Sequence, residues 1–448
     1  MDDASEIPTR LRLELRHRMR PLVGRDPAER DRAVTPLELL YDLTYVVAFA
    51  AAADLLAEHL AEGEVWSAIA GFVFVGWAVS WAWLNFTWFA SAYGNDDVMF
   101  RLATIVQMIG VVVLVFGLPA AFEALAHAEN PLVPAIVIGY VVMRVPQIAL
   151  WLAAARQDPA HRRIALAYAV IISAAQVGWV LLAIAELPIV PTIVILLVLA
   201  SAEMAAPVMS AHRMGFAPWN AGHIAERFAL LTLITIGEVI AGTTAAVGAL
   251  TLEQGWSPEA VLIISSGLLI AAAIWWTYFL VPSRTVLELR PTRTFSWRYA
   301  HLPLFASIAA VGAGLHLTTI AVEHGGVSLF GISLALAIPL ALTIVVILLI
   351  WSVLLRSFDL SHLSLLLVTL APLVAAVVVG FLAGPTEPID LEDRSDLTAL
   401  SVVISLVALG AVIEVVGHEL VGYGHTLRAW QRTAGEAEGA TATDLPRG

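Results

Sequence analysis

Six ionisable residues stand inside stretches of this chain that otherwise read as lipid-soluble. Five are acids, Asp42, Asp54, Glu203, Glu238 and Glu414, and one is a base, Arg144. A charge at the centre of hydrocarbon costs about 2.5–3.5 kcal/mol even on the most lenient scale, so such groups face protein or a water-filled cavity. One arginine neutralises one or two carboxylates in a buried hydrogen-bonded pair. The remaining acids either bind a cation or stay protonated, because desolvation disfavours their charged form. That excess suits a cation or proton pathway. For any single acid, a satisfied hydrogen bond between helices explains the residue equally well; for the set, the functional reading is preferred.

Helix geometry limits what these groups do together. Asp42 and Asp54 are separated by a rise of about 18 Å and a rotation of about 120° beyond whole turns. They are not a paired general acid and base. Glu38 and Asp42, four apart, share a face and form one acidic site near the inner surface. Glu38 also has a structural explanation: Thr35 caps, Pro36 suits the first helical position, and Glu38, three residues after the cap, completes a capping box. Glu226, beside Arg227, reads by default as half of a surface ion pair. Asp96 and Asp97 with Arg101 could hold Mg²⁺ or a phosphate-bearing ligand, although a helix-start cap with a salt bridge is the preferred account. With Arg227 they make a polar cluster expected at the inner mouth.

Other chemistry fares worse. The chain has no cysteine, no His-Glu-x-x-His helix, no glycine-rich phosphate loop and no Gly-x-Ser-x-Gly elbow. His212, His223, His301 and His316 are scattered near span ends without ligand spacing. No catalytic residue, metal site or cofactor is therefore expected. The partners expected are membrane lipids and a cation or proton, not nucleic acid.

The elements that must position these residues are membrane-spanning helices. With 59% hydrophobic and 14% charged residues and a mean hydropathy of +0.84, the 448-residue chain is not a soluble globular protein. Apolar runs of the length a bilayer requires recur near 37–57, 65–88, 98–118, 132–154, 164–185, 189–209, 226–248, 258–281, 300–321, 328–351, 361–383 and 398–421. Barrel strands would be shorter and would alternate. Ser257-Pro258-Glu259 starts the eighth span as Thr35-Pro36 starts the first.

Charge fixes the expected topology. All 24 basic residues are arginine. If the N-terminus is cytoplasmic, twelve spans return the C-terminus to the same side. Arg144 then lies in a span, Arg394 alone lies in an outer loop, and every other arginine falls in an inner segment. The outer loops carry acids, among them Glu58, Glu62, Glu64, Glu123, Glu129 and Glu323. This is the positive-inside pattern of an even-numbered, both-ends-inside protein of the inner membrane. The net charge of −13 hides that sorting. Residues 1–36 carry arginines without an apolar core, so they do not read as a secretory signal. Arg10 to Arg20 admits a short basic helix on an anionic leaflet; a solvated tail that fixes orientation is preferred. Trp81, Trp83 and Trp88, and Trp275 and Trp276, gather at inner ends, as anchors and packing groups rather than as a cage for a cation.

Comparison of the halves reveals an internal repeat. Asp42 and Asp54 pair with Glu226 and Glu238 at the same spacing, and Trp83-Leu84-Asn85-Phe86 pairs with Trp275-Trp276-Thr277-Tyr278. Phe100-Arg101-Leu102-Ala103 pairs with Trp297-Arg298-Tyr299-Ala300. Trp151, Arg156, Asp158 and His161 match Trp351, Arg356, Asp359 and His362, and Glu203 matches Glu414. Six spans per copy make the copies parallel, related by an axis along the membrane normal. The expected fold is all-α and polytopic: a basic tail (1–36), two six-helix repeats (37–213 and 214–427) and a second tail (428–448).

Thr35-Pro36-Leu37-Glu38-Leu39-Leu40-Tyr41-Asp42-Leu43 resembles the opening signature of the bacterial low temperature requirement A family, with Tyr41 where Phe is more usual. Trp88-Phe89-Ala90-Ser91 through Asp96-Asp97 to Arg101-Leu102 and Gln107-Met108 resembles the same family. So do Glu226-Arg227-Phe228 to Gly237-Glu238, and Tyr299-Ala300-His301-Leu302-Pro303-Leu304. The resemblance implies a multispanning inner-membrane protein and brings no settled activity. Its acidic and arginine positions map to Glu38, Asp42, Asp96, Asp97, Arg101, Glu226, Arg227 and Glu238. The expectation is a transporter or channel-like protein with a polar cavity between the repeats. The rivals are a membrane-embedded enzyme acting on lipid or isoprenoid at the inner leaflet, and a non-catalytic scaffold for cold or envelope stress.

Overall fold

A computed structural model describes residues 20–29, 32–356, 360–390 and 393–422, and position 431. Most of the N-terminal tail, the matched Asp359 and the C-terminal tail with Arg428, Arg432 and Arg447 lie outside the described residues, as does the side chain of His362.

Twelve helices are long and apolar enough to cross a membrane. They are α1 (Pro36–Ala61), α2 (Val65–Tyr93), α3 (Val98–Ala126), α4 (Pro134–Gln157), α5 (Arg162–Ile184), α6 (Ile189–Met214), α7 (Ala221–Gln254), α8 (Pro258–Phe279), α9 (Thr294–His324), α10 (Leu329–Leu355), α11 (Leu360–Leu382) and α12 (Arg394–Gly417). Among the described residues the only β pairing is an isolated bridge between Ser328 and Pro388. Several helices run further than their apolar stretches: α3 continues to Ala126 and α7 starts at Ala221. Alanine, the strongest helix former, recurs in both extensions and carries the helix past the long apolar run. A short helix at Ser283–Leu289, between α8 and α9, lacks a long apolar run and is absent from the sequence expectation.

The helix starts follow their local chemistry. The Thr35 N–H donates to Glu38 Oε2 at 2.9 Å and the Glu38 N–H to Thr35 Oγ1 at 3.3 Å, the reciprocal bonds of a capping box. Ser257 Oγ accepts from the Ala260 N–H at 3.1 Å at the start of α8.

The chain divides into two compact units. The first comprises residues 1–44, 85–117 and 132–220; α4 packs on α5 and α5 on α6. The second comprises residues 45–84, 118–131 and 221–448. In it α7 packs on α9, α9 on α10, α10 on α11, α11 on α12, α12 on α8 and α8 on α7, so these six helices close a ring. Helices α1, α2 and α3 each contribute one part to either unit.

Aromatic packing fills both units. In the second, Trp83 meets Phe228 and Phe305 edge-on at 4.8 and 5.6 Å. In the first, Trp88 lies 5.4 Å from Trp219. Trp81, Trp83 and Trp88 are buried, so packing is their role, whereas Trp275 and Trp276 are partly exposed.

Candidate functional site

The second unit gathers ionisable groups from three helices. His316 of α9 places Nδ1 2.8 Å from Oδ1 of Asp54 on α1, and neither side chain is buried: 37% of His316 and 50% of Asp54 is exposed. Glu238 of α7 lies within electrostatic range of both. The charges of Glu58 and Glu323 also act on His316. Glu58 is one turn beyond Asp54 on the same face of α1, so negative charge continues along that face.

Glycines set this geometry. A Cβ at Gly312 would lie 2.9 Å from Cβ and the carbonyl oxygen of Glu238, and one at Gly242 would lie 2.7 Å from the carbonyl oxygen of Gly312. Missing side chains thus let α7 and α9 approach backbone to backbone, as small residues do between membrane helices. That approach brings Glu238 against α9 one turn before His316. Two carboxylates and an imidazole borne by helices long enough to span a membrane can exchange protons or hold a cation.

The other deep acids are each engaged. In the first unit, Arg144 and Glu203 are almost wholly buried and lie 3.4 Å apart. Trp179 donates its indole N–H to the second Glu203 oxygen at 3.1 Å, and Arg144 donates to the Tyr140 hydroxyl at 2.7 Å. In the second unit, Thr369 donates to Glu414 at 2.9 Å, and His418 lies 3.9 Å away. Asp42 is fully buried.

The residues expected at the inner mouth in the first unit are also held locally. Glu38 serves the capping box. Asp96 receives two hydrogen bonds from Arg101, at 2.9 and 2.6 Å. Asp97 caps α3 through the Phe100 N–H at 2.8 Å and accepts from the Arg20 N–H at 2.9 Å. In the second unit, Glu226 and Arg227 do not form a surface pair. Glu226 is exposed, while Arg227 is buried with its guanidinium 5.7 Å from the Trp83 ring centre. Adjacent helix residues diverge by about 100°, so they seldom share a face.

A segment of the first unit crosses the ends of its helices. The Leu22 and Gly24 N–H groups donate to Gln157 Oε1 at 2.9 Å and Asp158 Oδ2 at 3.1 Å, and Arg25 bonds the carbonyls of Ala92 and Gly94. Arg32 bonds those of Ala90 and Ser91. Asn220 closes the segment by donating to the carbonyls of Pro27 and Glu29 at 3.0 and 2.9 Å. Burial alone would push the Asp158 carboxyl up; hydrogen bonds from His161 and the Gly24 N–H, with the charge of His161, prevail and hold it below the usual carboxylate range.

Sequence reasoning missed His316, which it set aside as one of several scattered histidines. The available signal was Gly242 and Gly312, which mark a close helix approach beside it.

The chain is similar to an uncharacterized protein of Rhizobium meliloti (strain 1021), 23% identical over 290 residues that make up 62% of this chain and 67% of the relative. No solved structure matches it. The family model described as bacterial low temperature requirement A protein matches residues 33–388, and the chain accordingly belongs to that bacterial family of multi-pass membrane proteins.

Proposed function

We propose that the protein is a transporter or channel-like protein that moves a proton or another cation, or a solute coupled to a proton, across the bacterial inner membrane. The observation that carries this reading is the contact of Asp54 with His316 in the second unit, with Glu238 within electrostatic range of both. Partly exposed ionisable groups within apolar helices are costly unless water or an ion reaches them. Fully deprotonated, the group carries two negative charges; binding two protons makes it neutral. Each proton or cation bound therefore changes the local charge, and the lower the local dielectric, the larger the energy of that change.

The arginine distribution supports placing both termini in the cytoplasm. The matched positions of the halves support two parallel copies, in which protonation of a deep acid is coupled to rocking of one copy. Glu38, Asp96 and Asp97, each engaged by neighbours, give an inner-leaflet enzyme less support.

The test is flux in liposomes that enclose a pH indicator, under an imposed potential and with candidate cations in turn. The wild-type chain conducts or exchanges protons, and Glu238→Gln abolishes the coupled flux. Flux retained in Glu238→Gln removes that residue from the mechanism. Absence of flux from the wild-type chain under every cation overturns the reading.

A further inference from the structure

The turn joining α1 to α2 holds a second group of side chains that the proposed pathway does not use. His59 closes α1, and Glu62 and Glu64 follow it at His-x-x-Glu-x-Glu spacing. Gly63, at φ +85°, permits the reversal, and the Glu64 N–H returns to the His59 carbonyl at 2.9 Å. Both carboxylates thereby fold back over one imidazole. His59 Nδ1 lies 3.0 Å from Glu64 Oε2 and 3.8 Å from Glu62 Oε2. One donor atom from each residue falls within 4.8 Å of the others.

We propose that His59, Glu62 and Glu64 bind a borderline divalent transition-metal cation of the Zn²⁺ type. A tetrahedral ion with bonds of about 2.0–2.2 Å holds its donors about 3.3–3.6 Å apart. The distances from the imidazole nitrogen bracket that range, so small side-chain movements bring the donors to bonding distance. The imidazole is set in place beforehand: His59 is only 7% exposed, and its ring rests 5.5 Å from that of Phe122. The carboxylates are exposed and adjustable, and they leave a side open to water or another ligand.

The donor set selects the ion. One imidazole with two carboxylates suits Zn²⁺ and its neighbours better than Mg²⁺ or Ca²⁺, which prefer oxygen alone, and no thiolate is present to favour Cu(I). The surroundings add charge of the right sign. The end of α3 in the same unit brings Glu123, Glu129 and His127; the Glu123 carbonyl and the charges of Glu123, Glu129 and Glu64 hold His127 above the usual histidine range. Carboxylates outnumber imidazoles there, so the patch attracts cations before any is bound.

The test uses the full chain purified in detergent, free of chelators, with Zn²⁺ by calorimetry and Co²⁺ by its visible absorption. One ion per chain is expected, with a tetrahedral Co²⁺ spectrum that Zn²⁺ displaces. The Glu62→Gln/Glu64→Gln variant, altered only at exposed positions, and His59→Ala each weaken binding by at least the roughly tenfold cost of losing a mere outer-shell partner. Zn²⁺ raises the unfolding midpoint of the wild-type chain but not of the double variant. Glu238→Gln, which is predicted to stop flux, leaves Zn²⁺ affinity intact, which separates this site from the proposed pathway. No saturable binding, or equal affinity in the wild-type chain and the double variant, overturns the proposal.

Discussion

Nη2 of Arg144 and Oε1 of Glu203 face each other at 3.4 Å with both side chains almost wholly buried. Breaking such a pair costs more than replacing it, because the survivor becomes an uncompensated buried charge. Arg144→Met or Glu203→Met alone should lower stability by about 3–5 kcal/mol, while the double Met variant should be close to neutral. Thermal unfolding in one detergent compares the three. Single variants no worse than the double one would show that the two residues are not a structural pair.

Gly312 is required by contact with α7. In Gly312→Ala the new methyl meets Glu238 at 2.9 Å, and overpacking of this kind costs about 1–3 kcal/mol. The variant should unfold earlier and should impair any flux that depends on Glu238. Gly248→Ala on α7, whose Cβ would meet nothing within 4 Å, serves as the control on the facing helix. Equal behaviour of the two variants would remove close approach as the reason for Gly312.

The depressed Asp158 carboxyl ties pH to the segment around Gly24. Because the folded value lies below the unfolded one, its contribution is complete above the ordinary carboxylate range and is lost as pH falls through the folded value. Hydrogen exchange at the Leu22 and Gly24 amides should be slow at neutral pH and should accelerate in acid beyond the intrinsic dependence. Asp158→Ala should bring the loosened state to neutral pH, at a cost of about 1.5–3 kcal/mol for hydrogen bonds to a charged group. Unchanged protection in that variant would show that Asp158 does not hold the segment.

Features determined over a few residues were legible in the sequence. The Thr35–Glu38 capping box depends on residues three apart in one helix, and the twelve spans depend on apolar runs. That Arg144 would take a buried acidic partner also followed, since a lone charge in hydrocarbon demands one. Its choice of Glu203 did not, because partner choice depends on the rotation of α4 against α6. Arg227 was misread for the same reason: without neighbours, a helix residue beside an exposed acid looks exposed. His316 was set aside and His59 passed over because their acidic neighbours are brought to them by a helix approach and a chain reversal that spacing alone does not encode.

The segment from Arg20 to Glu29 is held chiefly through its own main chain: the amides of Arg20, Leu22, Gly24 and Arg25, and the carbonyls of Pro27 and Glu29. Such attachment is indifferent to most side chains of the segment, but not to one added at Gly24, where a Cβ would lie 2.6 Å from the Pro218 ring and 2.8 Å from Asp158 Oδ2, or to that of the buried Leu22. A scan by point replacement would pass over its exposed positions, such as Val23 and Ala28. Shortening is the other change it cannot absorb: a deletion reaching Gly24 removes the Leu22 and Gly24 amides together, and with them both bonds to the end of α4.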